Sequence, residues 1–198
     1  MSEKNKQYKR VLIVLTGFAF CLILLFYFIP QKTVFQNGAV PLQEQGKIDN
    51  VGLPIRLKIP KINVDAAVEY VGVASDGNMD VPKGPNDVAW FDLGPRPGES
   101  GSAVIAGHYG WKNNTSAAFD AVSTLQKGDK LYVEDDRGAM IVFVVRESKL
   151  FDPKSDASDV FGSKDVKSHL NLITCEGVWD ASSKSYSKRL VVFTDKEN

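Results

Sequence analysis

Lys127-Gly128-Asp129, Leu131-Tyr132-Val133-Glu134, Asp135-Asp136-Arg137-Gly138 and Met140-Ile141-Val142-Phe143-Val144-Val145-Arg146-Glu147-Ser148 succeed one another almost without a break. A turn signal precedes a short β-branched and aromatic run, and a second turn signal precedes a second run. Gly, Asp and Asn favour turns because they accept left-handed backbone or bond to their own main chain, whereas Val, Ile, Phe and Tyr suit a pleated, half-buried surface. The same texture extends both ways. Ile55–Ile59, Ala67–Val71, Ala103–Ala106, Leu170–Thr174 and Leu190–Thr194 are further strand candidates, and Asp76-Gly77-Asn78 is a further turn. Many short strands with this punctuation predict a mainly β fold, a closed or nearly closed barrel. Two short helices are predicted, over Ser116–Leu125, where Ala117, Ala118, Ala121 and Leu125 favour helix, and over Ala157–Phe161.

The first fifty residues have a different character. Lys4, Lys6, Lys9 and Arg10 stand against Glu3 alone, and Val11–Ile29 then runs without a charge to Pro30. As a helix that run is long enough to cross about 30 Å of hydrocarbon. A cleaved signal peptide would have a shorter apolar region, roughly 7–15 residues, and a small-x-small exit. Here Leu24-Leu25-Phe26-Tyr27-Phe28-Ile29 is bulky throughout. The reading is an uncleaved signal-anchor, with residues 1–10 cytoplasmic, 11–29 in the membrane, 30–52 a Gln-, Asn- and Gly-containing linker, and 53–198 an extracellular domain.

Composition narrows the function. Lysine plus arginine equal aspartate plus glutamate at 24 each, for a formal net charge of zero. That lacks the basic surplus expected of a nucleic-acid binder, so no nucleic-acid partner is expected. The two cysteines, Cys21 and Cys175, cannot build a disulfide framework or a zinc cluster. Asp76, Asn78 and Asp80 resemble the start of a calcium loop but lack its terminal glutamate, and the turn reading is preferred. Neither metal nor cofactor is expected. Cys21 falls inside the apolar run, where a thiol packs as a small hydrophobe.

Cys175 is therefore the lone thiol of the domain. It closes the apolar run Leu172-Ile173-Thr174-Cys175, and a strand end holds a nucleophile rigidly at the edge where loops bind substrates. A buried structural cysteine is the competing reading. His108, in Gly107-His108-Tyr109, closes another strand and is a candidate base, with Gly107 permitting close backbone approach. His169 is disfavoured, because six residues of extended chain separate it from Cys175 by roughly 20 Å, and a base must come within about 3 Å or act through one water. Arg56, Arg96, Arg137, Arg146 and Arg189 all admit plain surface explanations.

Three segments taken together resemble the sortase family of bacterial cysteine transpeptidases. They are Gly-His-Tyr after a Val-Ile-Ala strand, Leu-Ile-Thr-Cys ending a later one, and Lys-Arg-Leu-Val-Val opening the last. Leu57-Lys58-Ile59-Pro60-Lys61-Ile62, Pro97-Gly98-Glu99-Ser100-Gly101 and Leu125-Gln126-Lys127-Gly128-Asp129 add to the likeness, which covers about residues 53–195. It implies an eight-stranded barrel and a trio of Cys175, His108 and Arg189. Cys175 would form a thioester with a C-terminal sorting signal of the Leu-Pro-x-Thr-Gly type. His108 would shuttle protons, and Arg189 would stabilise the oxyanion or position the signal. Thr174 and Trp179 are the implied substrate contacts. The implied partners are secreted proteins carrying the signal and an amine acceptor, a peptidoglycan precursor or a pilin lysine. Asn171 stands where the family commonly has threonine, and the polar loop expected over Glu176–Lys188 bears on which signal is read. A hydrolase using the same thioester and a membrane-tethered peptide-binding module without catalysis are the competing functions.

Overall fold

The computed structural model describes residues 51–197. The expected cytoplasmic segment, the signal-anchor over 11–29 and all but the last two residues of the linker lie outside the described residues. Among the described residues no helix is long and apolar enough to cross a membrane.

Eight strands close into one barrel. They are β1 (Pro54–Ile59), β2 (Val64–Val71), β3 (Val88–Phe91), β4 (Gly101–Gly107), β5 (Lys130–Asp135), β6 (Met140–Phe151), β7 (Ser168–Asp180) and β8 (Ser185–Lys196). Their order around the barrel is β1-β2-β3-β4-β7-β8-β6-β5, with β1 pairing back onto β5. The β2–β3 and β4–β7 pairs are parallel and the others antiparallel. Closure leaves no open edge to pair with another chain.

Alternation sorts each strand between two layers. Leu57, Ile59, Ile105, Leu131, Val133, Phe143, Leu170, Leu172 and Val192 fill the interior with Phe119 and Val122. On the outer side Val104, Val191 and Phe193 are covered by Val160 of a single α-helical turn, α1 (Ser158–Phe161). His169, Asn171, Ile173 and Cys175 share one face of β7, opposite Leu170, Leu172 and Thr174.

Three sequence expectations change. The four-residue β3 is a strand that the sequence pattern does not mark. The predicted helix over Ser116–Leu125 is instead a series of turns with one 3-10 turn at Val122–Thr124. Its backbone N–H groups are taken by other partners: Ala117 donates to the Asp120 carboxylate, Ala118 to the Pro85 carbonyl and Phe119 to the His108 carbonyl. Further along, Asp120, Val122, Thr124 and Leu125 donate to carbonyls three residues back rather than four, so separate tight turns replace the helical ladder that alanine propensity favours. The loop expected over Glu176–Lys188 is mostly ladder, because β7 and β8 continue outward with Trp179 opposite Tyr186 and Asp180 opposite Ser185. The two rings meet edge-on at 5.1 Å, which stabilises the extension as cross-strand aromatic pairs do. By contrast α1 falls where the sequence predicts it.

Candidate active site

The end of β4 is fixed by close packing. A Cβ on Gly107 would lie 2.5 Å from the buried Phe119 ring, so only glycine lets the strand pass there. His108 comes next in the chain. Its backbone carbonyl accepts the Phe119 N–H at 3.1 Å, and its Nε2 donates to the Pro82 carbonyl at 2.7 Å. A carbonyl only accepts, so Nε2 carries a proton and Nδ1 is the nitrogen left over. Nδ1 has no hydrogen-bond partner among the described residues. The ring also packs against Trp111, with centroids 4.7 Å apart.

The loop after His108 is held by one carboxylate. Asp120 accepts the Gly110 N–H at 2.6 Å and the Ala117 N–H at 3.0 Å, closing the loop on itself. Gly110 has φ of +65°, a left-handed conformation that glycine tolerates.

On the neighbouring strand pair, Cys175 of β7 sits directly opposite Arg189 of β8. Burial pushes the Cys175 thiol above its ordinary value, and the Arg189 charge opposes that shift only in part. The resting thiol is therefore mainly protonated and needs a base. The Arg189 guanidinium is itself anchored. Nη1 donates to the Tyr186 and Lys188 carbonyls and Nη2 to the Ser185 hydroxyl. A planar, always-charged fork tied down in this way is preorganised to meet negative charge. Tyr186 stacks edge-on with Tyr109 at 5.5 Å as well as with Trp179. Burial, and behind it the nearby acidic groups, pushes the Tyr186 phenol up, so it stays a neutral O–H.

These pieces line one cavity of about 780 Å³, whose walls include His108, Cys175, Arg189 and Trp179. Four of the five residues expected from the sequence thus meet around a single space. Thr174 is not part of the lining. It points to the opposite face of β7, is buried, and donates its hydroxyl to the Gly107 carbonyl at 2.8 Å. That bond ties the strand of Cys175 to the strand of His108. Tyr109, Trp111, Asp120 and Tyr186 also line the cavity, and no sequence pattern singles them out. The adjacency of Tyr109 and Trp111 to His108 was the available signal. His169 lies elsewhere, on the outer face of β7 between Asp165 and Asp195, at 2.8 and 2.7 Å. Asn171, the departure from the family pattern, donates to the Val160 carbonyl at 2.6 Å and so fastens α1 to β7. Among the described residues no cluster of three or more His, Cys, Asp or Glu side chains could hold a metal ion.

The sortase domain model matches residues 57–197. The chain belongs to the sortase family. Sortases are cysteine transpeptidases, which makes this chain an enzyme by family. Among solved structures, sortase C-1 from Actinomyces oris is similar at 24% identity, covering 72% of this chain and 73% of that one, with a TM-score of 0.58. Sortase C from Clostridium perfringens SM101 is similar at 22% identity over 75% of this chain and 72% of that one, with a TM-score of 0.55. A lid mutant of sortase A from Corynebacterium diphtheriae shows 21% identity, the same two coverages of 75% and 72%, and a TM-score of 0.57. At such identities the likeness is one of fold. No curated protein sequence matches the chain.

Proposed function

We propose that this sortase cleaves a C-terminal sorting signal of the Leu-Pro-x-Thr-Gly type through a thioester on Cys175. It then transfers the acyl fragment that ends in the signal's threonine to a primary amine of the cell wall or of a pilin. The observation that carries the reading is the direct cross-strand opposition of Cys175 and Arg189, on the wall of the cavity that His108 enters from β4. In the first step the Cys175 proton passes to His108 and the sulfur attacks the carbonyl carbon after the signal's threonine. The C–N bond breaks, and the departing amine takes the proton from the imidazolium. In the second step an incoming amine loses a proton to His108 and attacks the thioester. The C–S bond breaks, and the sulfur regains its proton. Arg189 neutralises the oxyanion in both tetrahedral intermediates. Trp179 contacts the signal peptide. The apolar run Val11–Ile29 anchors the chain in the membrane, with the barrel outside, where a thioester conserves acyl activation without ATP.

The test incubates the full-length chain, in detergent, with quenched Leu-Pro-x-Thr-Gly peptides, with and without an amine. Cleavage plus an amine adduct supports transpeptidation, and cleavage by water alone supports the hydrolase. Full cleavage by Cys175→Ala would remove the thioester from the mechanism. Binding without any cleavage would leave a peptide-binding module.

A further inference from the structure

The cavity has two chemically different ends. The β7–β8 end carries Arg189 beside Cys175, suited to the oxyanion. The other end is the loop after β4, where Trp111 and Asp120 stand near His108. Asp120 is the one acidic side chain lining the cavity among the described residues. Its two oxygens each accept one backbone N–H, which leaves lone pairs for a further donor. Trp111 presents an indole face, the strongest aromatic partner for a cation.

That face already holds an ammonium. The Lys112 Nζ lies 5.6 Å from the Trp111 ring centroid, and both residues line the cavity. The chain thus supplies a primary ammonium of its own on the ring that packs against the histidine. The inference rests on the transpeptidase reading, under which the acceptor must bring a primary amine to His108 and lose a proton there. The Trp111 ring packs against His108, so an amine on the indole is delivered to its base.

We propose that Trp111 and Asp120 form the docking site for the primary ammonium of the acyl acceptor, and that Lys112 competes with the acceptor for it. The site selects the acceptor rather than the sorting signal. Exchange of the Lys112 ammonium for the incoming one leaves the site's charge balance unchanged, so docking requires no buried charge to be left unpaired.

The test uses the full-length chain with a cleavable Leu-Pro-x-Thr-Gly peptide and two acceptors, triglycine and Nα-acetyl-lysinamide. The readout is the ratio of amine adduct to hydrolysed product, in which changes in acylation cancel. Trp111→Leu is expected to lower the ratio about five- to tenfold, in line with loss of one cation–π contact. Asp120→Asn is expected to lower it for both acceptors, and Lys112→Gln to raise it at sub-saturating amine. Whichever acceptor responds more strongly identifies the natural amine as an α-amine or a lysine side chain. In parallel, the Trp111 indole N–H resonance is titrated with each amine in the absence of peptide. A saturable shift, tighter in Lys112→Gln, is expected. Ratios unchanged in Trp111→Leu and Lys112→Gln, or no saturable shift, overturn the docking site. A saturable shift without any peptide cleavage would keep the amine site and overturn the transpeptidase reading instead.

Discussion

The barrel carries two histidines, and their surroundings differ in a way that separates framework from chemistry. His169 is only 7% exposed, and both its ring nitrogens meet carboxylates, Asp165 and Asp195. Asp195 also pairs with Arg146 at 2.7 Å. Every strong group there has its partner, so the network holds the segment after α1 against β7. His108 has one nitrogen committed to a backbone carbonyl and the other uncommitted at the edge of a cavity shared with a thiol and an anchored guanidinium. A half-satisfied imidazole beside a nucleophile has capacity for proton transfer, and a fully satisfied one has none to offer.

Exchanging the two for glutamine is the strongest way to break the comparison. His108→Gln is expected to lower kcat/KM for peptide cleavage by roughly 10²–10⁴-fold, the usual contribution of a general acid–base, with little change in Tm. His169→Gln should leave turnover near that of the parent and cost about 1 kcal/mol of stability, because a buried ring hydrogen-bonded at both nitrogens is replaced by an amide that cannot reach both carboxylates. Peptide-cleavage kinetics and thermal melts on both variants decide it. Comparable catalytic losses would return His169 to the mechanism.

Arg189 tests the catalytic side alone. Arg189→Met is expected to lower kcat by about 10²–10³-fold, as removal of one oxyanion-hole donor does. It should also move the thiol. Burial already raises Cys175, and Arg189 is the charge that opposes that rise. Without it, the pH at which Cys175 alkylation reaches half its maximal rate should climb further. An unmoved alkylation profile would mean that the guanidinium acts on substrate only, not on the thiol.

How far the sequence was legible depends on where each signal resides. β5 and β6 could be read because alternation and their bounding turns are local. β3 escaped because Val88, Ala89 and Trp90 are all buried, so no polar residue marks an outward face. The outer hairpin escaped for the opposite reason. Gly177–Ser183 is solvent-exposed and broken by Gly, Asp and Ser, so it reads as loop although Trp179 and Tyr186 hold its ladder. The segment over Ser116–Leu125 misled because the Pro85 and His108 carbonyls, distant in sequence, fix Ala118 and Phe119, and the N–H groups that follow close only three-residue turns. In the site, Cys175 and His108 stood out as strand ends. Arg189 required the family likeness, since its position opposite Cys175 depends on strand register. Trp111 and Asp120 belong to the cavity only through the fold of one loop, which no spacing rule encodes.

On the framework side, pH offers a smaller effect with a definite sign. Hydrogen bonding to the His169 ring, then to the Lys167 N–H, holds the Asp165 carboxyl down at about 2. A carboxyl depressed in the folded state stabilises the fold above its unfolded value, and that stabilisation is lost as pH falls through about 2. Asp165→Asn removes the titrating group. The gap in Tm between parent and variant should be full well above the ordinary carboxylate value of about 4, narrow below it, and close near pH 2. A gap that persists unchanged into acid would show that Asp165 acts through packing.

Thr174 lies between the two regions and gives the smallest expected effect. Its buried hydroxyl bonds the Gly107 carbonyl, so one bond links the residue before Cys175 to the residue before His108. Thr174→Val keeps the shape and removes the donor, leaving a buried carbonyl short of a partner. The expected cost is about 1–2 kcal/mol, or a fall in Tm of roughly 2–6 °C. Because the bond sets the approach of the two strand ends, kcat should fall modestly while KM for the peptide stays put. Thr174→Ser keeps the hydroxyl and should restore kcat even though it loses a methyl group. A rise in KM with an unchanged Tm would instead place Thr174 against the bound peptide. The strand junction would then belong to substrate recognition, and the division between a satisfied framework and an unsatisfied site would run one residue closer to the core.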